Sequence, residues 1–209
     1  MSLLTTSLLL PTRRNLVTTG LAAASGLGLA ADELFAQQLS PTPECHRGGA
    51  ATIQQTEGPY FKPKSPERAD LIDEGMAGRP LEVTGFVLTR RCKPVGRVLI
   101  DVWQADNAGE YDNTGFRLRG HLFTDTEGRF KLRTIVPGVY PGRTRHIHVK
   151  LQPPGGRIVT TQVYFPGEDE NKRDGLFRRE LTMRTAKTAV EGRPEGWVAG
   201  RFDFVLDVG

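Results

Sequence analysis

Between Pro137 and Val149 the chain reads Pro137-Gly138-Val139-Tyr140-Pro141-Gly142-Arg143-Thr144-Arg145-His146-Ile147-His148-Val149. Side chains alternate between the two faces of a strand, so His146 and His148 project from one face. A turn framed by Pro and Gly presents a phenol, Tyr140, just ahead of them, and a second phenol, Tyr111, lies in the polar loop Asp106-Asn107-Ala108-Gly109-Glu110-Tyr111-Asp112. Each has an ordinary explanation when taken alone. A loop tyrosine is usually a half-buried aromatic with a solvated hydroxyl, and a turn tyrosine packs on a sheet. A His-x-His pair on a bent strand divides into one core and one surface imidazole. Taken together, the four are a set of metal donors. A phenol ionises near pH 10, so it binds only an ion that strongly favours hard anionic oxygen. Ferric iron does; zinc and ferrous iron have less use for two phenolates. Two phenolates, two neutral imidazoles and a hydroxide make a neutral ferric centre, a Lewis acid able to chelate a catechol dianion.

Short strands must carry these residues. Leu81–Leu88 alternates loosely, and Arg90–Gly96 is a turn. Val98–Gln104 is a strongly apolar strand that ends at the Tyr111 loop. Arg117–Phe123 and Arg129–Val136 flank the Asp125–Gly128 turn, Arg145–Leu151 is the His-x-His strand, and Ile158–Phe165 follows Pro153-Pro154-Gly155-Gly156. Arg201–Val208 sets Phe202, Phe204 and Leu206 on one face and closes the sheet. Runs of about six residues with turn signals every ten or so predict an all-β fold, an antiparallel β-sandwich core with loop-rich arms. One short helix is expected within 67–75, around Leu71 and Ile72, and a second short one within the charged stretch 167–180. The organisation expected is an export signal over 1–36, an N-terminal arm over 37–79 and a catalytic sandwich over 80–209.

The chain has 209 residues, 38% of them hydrophobic, and a formal net charge of +4. That is enough apolar content for one core. Acidic and basic residues are interleaved, and no basic run is mixed with aromatics, which argues for a solvated surface and against nucleic acid as a partner. No Gly-rich phosphate loop is present. Arg13-Arg14 precedes an Ala/Gly/Leu-rich run ending near Ala31. This is a charged segment followed by an apolar one too short and Gly-rich to span a membrane stably. The paired arginines resemble a twin-arginine signal, which exports folded proteins to the periplasm or beyond; an ordinary secretion signal is the alternative. Two cysteines follow it, Cys45 and Cys92. An even count in an exported chain predicts a disulfide between them, with two free thiols as the alternative.

The ordered series Tyr111, Tyr140, His146-x-His148 resembles the ferric ligand set of the intradiol ring-cleavage dioxygenases, the protocatechuate 3,4- and catechol 1,2-dioxygenase type. The likeness extends along the chain. Thr56-Glu57-Gly58-Pro59-Tyr60 resembles the opening segment of that family's fold, Val102-Trp103-Gln104-Ala105-Asp106 its first ligand segment, and Thr161-Gln162-Val163-Tyr164-Phe165 the strand after its histidines. The resemblance implies an antiparallel sandwich with Fe(III) at one edge and no organic cofactor. It implies O2-dependent cleavage of a catecholic ring between its two hydroxylated carbons, giving a cis,cis-muconate-type diacid. By the same resemblance, Tyr111 is the tyrosinate that stays bound and Tyr140 the one that leaves and takes up substrate protons. His146 and His148 are the imidazole ligands, and Arg143 stabilises negative charge on the ring. Gln162 lies near the ring and Tyr60 lines the pocket.

The chain also departs from the pattern. The gap from Tyr140 to His146 is short beside the larger members, and the helical dimerisation segment of catechol-type members is missing. Substrate preference and homo-oligomer formation are therefore open, and a compact exported branch acting on environmental catechols is favoured. Two other classes compete. A transthyretin-like, non-enzymatic β-sandwich module would leave the tyrosines and histidines scattered. A zinc or copper site would join His146 and His148 to a carboxylate such as Glu110 or Asp112.

Overall fold

The computed structural model describes residues 49–186 and 196–208. The expected export segment over 1–36 and Cys45 lie outside these residues. Nine strands are described: β1 Pro80–Thr89, β2 Leu99–Trp103, β3 Arg119–Phe123, β4 Arg129–Ile135, β5 His146–Gln152, β6 Val159–Tyr164, β7 Arg184–Ala186, β8 Val198–Arg201 and β9 Phe204–Leu206. They form two sheets. One has the order β4-β1-β8-β7 with β9 also on β1; the other has the order β3-β2-β5-β6.

The apolar alternation explains the sandwich. Val83 and Val87 from β1 and Phe130 and Leu132 from β4 meet Ile100, Val102, Ile147, Val149 and Val163 from the second sheet in one buried cluster. Burying such side chains stabilises by roughly 1.5–3 kcal/mol each. Most pairings are antiparallel, but β8 and β9 run parallel to β1. The predicted single strand over 201–208 is therefore two short ones. The chain breaks at Phe202-Asp203, where the Asp203 carboxylate accepts from the Phe86 amide at 2.8 Å.

The helix expected within 67–75 does not form. Its backbone is committed to the sheet edges: the Arg68 amide donates to the His121 carbonyl, and the Leu71 amide to the Arg133 carbonyl, each at 2.8 Å. Pro66 just upstream, and a neighbouring strand edge with unpaired donors and acceptors, make the extended path the satisfied one. A short helix does appear in the charged stretch, a single 3-10 turn at Asp169–Lys172.

The second sheet has an unusual outer face. Its register aligns Arg119, Trp103, His148 and Gln162 in one row across all four strands, with Tyr164 beside His146. The N-terminal arm crosses this face. The Gln55 amide reaches the Thr160 carbonyl at 2.8 Å, and the His121 amide reaches the Pro66 carbonyl at 2.9 Å. Phe61 meets Trp103 edge-on at 4.8 Å between centroids. The arm turns a solvated face into a covered one, and Arg119, His146, His148 and Gln162 are all buried beneath it.

Candidate metal centre and its pocket

β5 sits between β2 and β6, so its two histidines hang from a strand bonded on both edges. Their Nε2 atoms face each other at 3.1 Å. The Tyr140 hydroxyl lies 3.4 Å from Nε2 of His146. The Tyr111 ring is 5.8 Å from that of Tyr140 and 6.2 Å from that of His148. All four predicted donors converge.

Two loops deliver the phenols, and they are stitched together. The Asp106 carboxylate accepts from the amides of Ala108 and Glu110 at 2.9 and 3.0 Å, which forms the turn before Tyr111. The Asp106 carbonyl then accepts from the Gly138 amide at 2.6 Å, tying this turn to the segment before Tyr140. Glycine is needed on both sides of this contact. A Cβ on Gly138 would stand 2.4 Å from the Gly109 nitrogen, and one on Gly109, whose φ is +89°, would stand 2.3 Å from the Val139 carbonyl oxygen. Tyr140-Pro141-Gly142-Arg143 closes with the Arg143 amide donating to the Tyr140 carbonyl at 3.0 Å. Pro at the second position and Gly142, at φ +79°, at the third are what a type II turn requires.

Arg119, only 2% exposed, braces the floor. It donates to the carbonyls of Asp112 at 3.0 Å and Tyr60 at 2.6 Å, with its guanidinium 5.9 Å from the Tyr111 ring centroid. Tyr60 stacks on Tyr111 at 4.3 Å and 14°. Tyr60 thus lies in the aromatic wall, as expected. Arg143 donates to the Tyr140 hydroxyl at 3.3 Å and to the Gln162 side-chain oxygen at 2.5 Å, so the three predicted substrate-side residues form one network. Beside it, between Val139–Arg143 and Glu170–Asp174, lies a cavity of about 540 Å³.

The residues fit a metal ion. The His146 Nδ1 is 2.7 Å from the Thr144 carbonyl, so a proton there leaves Nε2 as a lone pair aimed at the centre. Two imidazoles bound to one ion at about 2.1 Å place their nitrogens roughly 3.0–3.4 Å apart, which matches the observed spacing. The Tyr111 hydroxyl is buried, and among the described residues no hydrogen bond of ordinary geometry engages it. A buried, unpaired donor is costly unless something else engages it.

Burial, then the Arg143 charge, lowers the His146 pKa to about 4, and burial with His146 pushes His148 well below the ordinary range. Both rings are therefore neutral near pH 7, the ligating form. Burial raises the Tyr111 phenol, the neighbouring Tyr140 adds to this, and Tyr140 is likewise raised by burial against the pull of Arg143. Only a strong local cation would ionise them.

The zinc or copper alternative is not assembled. Glu110 is exposed, and the Asp112 carboxylate is spent on the amides of Thr114, Gly115 and Arg117 at 3.0, 2.7 and 2.8 Å. Among the described residues no three His, Cys, Asp or Glu side chains cluster for a metal. Cys92 sits at φ +61° in the turn after β1. Its expected partner Cys45 is not among the described residues. Sequence reasoning gave no role to Trp103, Arg119, Tyr164 or Asp174. Tyr164 lies two residues from Gln162 and opposite His146, and Trp103 lies opposite His148, and this strand alternation is the signal that could find them.

This β-sandwich gathers two phenols and two imidazoles under an N-terminal strap, and comparison with known proteins gives the fold a family. A family model described as "Dioxygenase" matches residues 56–208. The protocatechuate 3,4-dioxygenase beta chain of Burkholderia cepacia is 35% identical over 156 residues, spanning 62% of this chain and 65% of its own. Catechol 1,2-dioxygenase 2 of Acinetobacter lwoffii is 31% identical over 143 residues, 56% of this chain and 52% of its own. The chain thus spans about half to two thirds of the length of these curated relatives. The dioxygenase domain of a dioxygenase–carbohydrate-binding protein fusion from Streptomyces sp. SirexAA-E is 54% identical, with a TM-score of 0.72 over 77% of this chain and 100% of that one. The 3-chlorocatechol 1,2-dioxygenase of Rhodococcus opacus 1CP is 28% identical, with a TM-score of 0.65 over 83% of this chain and 76% of that one. The chain belongs to the intradiol ring-cleavage dioxygenase family.

Proposed function

We propose that this protein is a non-haem Fe(III) dioxygenase that uses O2 to cleave a catecholic ring between its two hydroxylated carbons, releasing a cis,cis-muconate-type diacid. One observation carries the reading: the Tyr140 hydroxyl and the facing Nε2 atoms of His146 and His148 lie together against the Tyr111 ring, with an open cavity beside Tyr140. Ferric iron held there would supply the Lewis acidity that draws a catechol in as a chelating dianion.

The chain's own groups do the rest. Tyr111, stacked under Tyr60 and buried, is the donor built to stay. Tyr140 sits on a turn at the cavity wall, where its phenol would take a proton from an incoming catechol hydroxyl. The guanidinium of Arg143, beside that hydroxyl, faces negative charge as it develops on the ring. Gln162 holds the guanidinium from the other side. The strap residues Tyr60 and Phe61 keep water from the back of the centre. The cavity extends past Val139, itself 39% exposed, which leaves room for ring substituents.

The paired arginines at Arg13-Arg14 support a further proposal, export to the periplasm or beyond by a twin-arginine signal, with a Cys45–Cys92 bridge tying the arm to the turn after β1. The experiment that tests the function is oxygen uptake by iron-loaded protein against a panel of catechols, with product absorbance followed in the near ultraviolet. Stoichiometric uptake with appearance of a muconate-type chromophore supports the reading. Iron-loaded protein that consumes no O2 with any catechol contradicts it.

A further inference from the structure

Asp174 lies just past the 3-10 turn Asp169–Lys172, and its side chain is 2% exposed. One carboxylate oxygen accepts from Nε of Arg143 and from the Thr144 amide, each at 3.0 Å. The other accepts from the Leu176 amide at 2.8 Å. Of the Arg143 nitrogens, the two terminal ones engage Gln162 and Tyr140. Among the described residues Asp174 alone engages Nε, the pivot about which the guanidinium plane turns. A planar fork of donors is useful only when its plane is fixed, and a charge-assisted bond at Nε fixes it.

The bond to Arg143 is not the segment's sole anchor among the described residues. Asn171 ties it independently, accepting from the Thr144 hydroxyl at 2.6 Å and donating to the Phe165 carbonyl at 2.9 Å. Phe177 adds an edge contact on the Tyr164 ring at 5.2 Å between centroids. Docking on Thr144 is thus shared by Asn171 and Asp174, while the bond to Nε of Arg143 is made by Asp174.

We propose that Asp174 is a positioning residue that acts through Arg143, holding the guanidinium plane against the Tyr140 hydroxyl so that its charge meets the reacting ring. The proposal rests on the ring-cleavage reading above. It predicts that charge stabilisation during the reaction depends on Asp174 more than substrate binding does.

The test is Asp174→Asn, which keeps the volume but turns an NH2 group toward amide or guanidinium donors. The expected result is a kcat lowered by about 10–100-fold, the usual cost of removing an orienting partner, with KM changed less than about threefold. A second readout does not involve turnover. In protein as purified, with gallium(III) replacing any iron so that the spectrum is diamagnetic, the Arg143 Nε–H resonance, assigned by its loss in Arg143→Lys, exchanges slowly. In Asp174→Asn it exchanges fast. Asn171→Ala, which loosens the loop alone, keeps both kcat and the slow resonance.

A kcat within twofold of wild type, a slow Nε–H in Asp174→Asn, or an equal kcat loss in Asn171→Ala overturns the proposal. Should Asp174→Asn not fold, Asp174→Glu restores a carboxylate and is expected to keep the slow resonance; a folded Asp174→Glu with a fast one overturns it as well. Wild-type protein that cleaves no catechol sinks the ring-cleavage reading instead, and the exchange measurement still decides whether Asp174 holds Arg143.

Discussion

The indole of Trp103 lies flat on the imidazole of His148, with ring centroids 4.9 Å apart and planes 8° from parallel. The two are direct partners across the β2–β5 ladder. Gly58 also closes in on this ring, where an added Cβ would stand 3.3 Å from Cε1 of His148. Among the described residues the His148 Nδ1 has no hydrogen-bond partner, so packing sets the orientation of this side of the ring. His146 is oriented in the opposite way, by its bond to the Thr144 carbonyl.

Trp103→Ala should therefore do two things. It empties a fully buried site, which costs about 3–5 kcal/mol of stability, read from chemical denaturation. It also frees the His148 ring, so iron affinity, read by competition with a chelator, should drop by about 10–100-fold. A variant that loses stability but binds iron as tightly as wild type would show that the stack is structural only.

Gly138→Ala should separate the phenols. The new methyl group meets backbone atoms of the Tyr111 loop, which cannot rotate away as a flexible side chain would. Loss of the Gly138–Asp106 bond follows, and with it the coupling of the two loops. The expected outcome is a folded sandwich with reduced iron content, measured as metal per chain. Gly142→Ala makes the contrast. It has open space around it and a positive φ, so it should cost about 1 kcal/mol in the turn and leave iron content near wild type.

The buried imidazoles make the metal-free protein sensitive to acid. In the folded chain, burial and then Arg143 lower the His146 pKa from 6.5 to about 4, and His148 moves the same way. Unfolded, both rings take a proton near pH 6.5. Between these values the unfolded state binds more protons, so stability rises with pH. It should be fully present above about pH 6.5 and fall progressively toward pH 4. His146 alone contributes on the order of 3 kcal/mol to that fall. Urea midpoints across this range check it, and His146→Gln should flatten the profile.

Much of this centre was legible in the residues because its signals are local. The alternation that puts His146 and His148 on one face needs only a strand, and Pro141-Gly142 dictates the turn that carries Tyr140 and Arg143. Zinc or copper binding through Glu110 or Asp112 failed on a matter of competition: the Asp112 carboxylate finds three backbone amides nearby in its own loop. Features that depend on distant chain were not legible. The 67–75 segment has helix-compatible residues, yet the exposed edges of β3 and β4 satisfy its backbone better. Nothing near Asp174 marks it as the partner of Arg143, since the contact joins a charged loop to the turn before β5. Arg119 reads as an ordinary strand arginine until the arm folds over it and buries it against Tyr60.

The most direct measurement is the visible absorption of iron-loaded protein, wild type beside Tyr111→Phe and Tyr140→Phe. Two phenolates on one ferric ion predict one iron per chain and a burgundy phenolate-to-iron charge-transfer band, weakened in each variant. Wild-type protein that binds iron without colour, or a band that neither substitution changes, would contradict convergence of these four side chains on one trivalent ion.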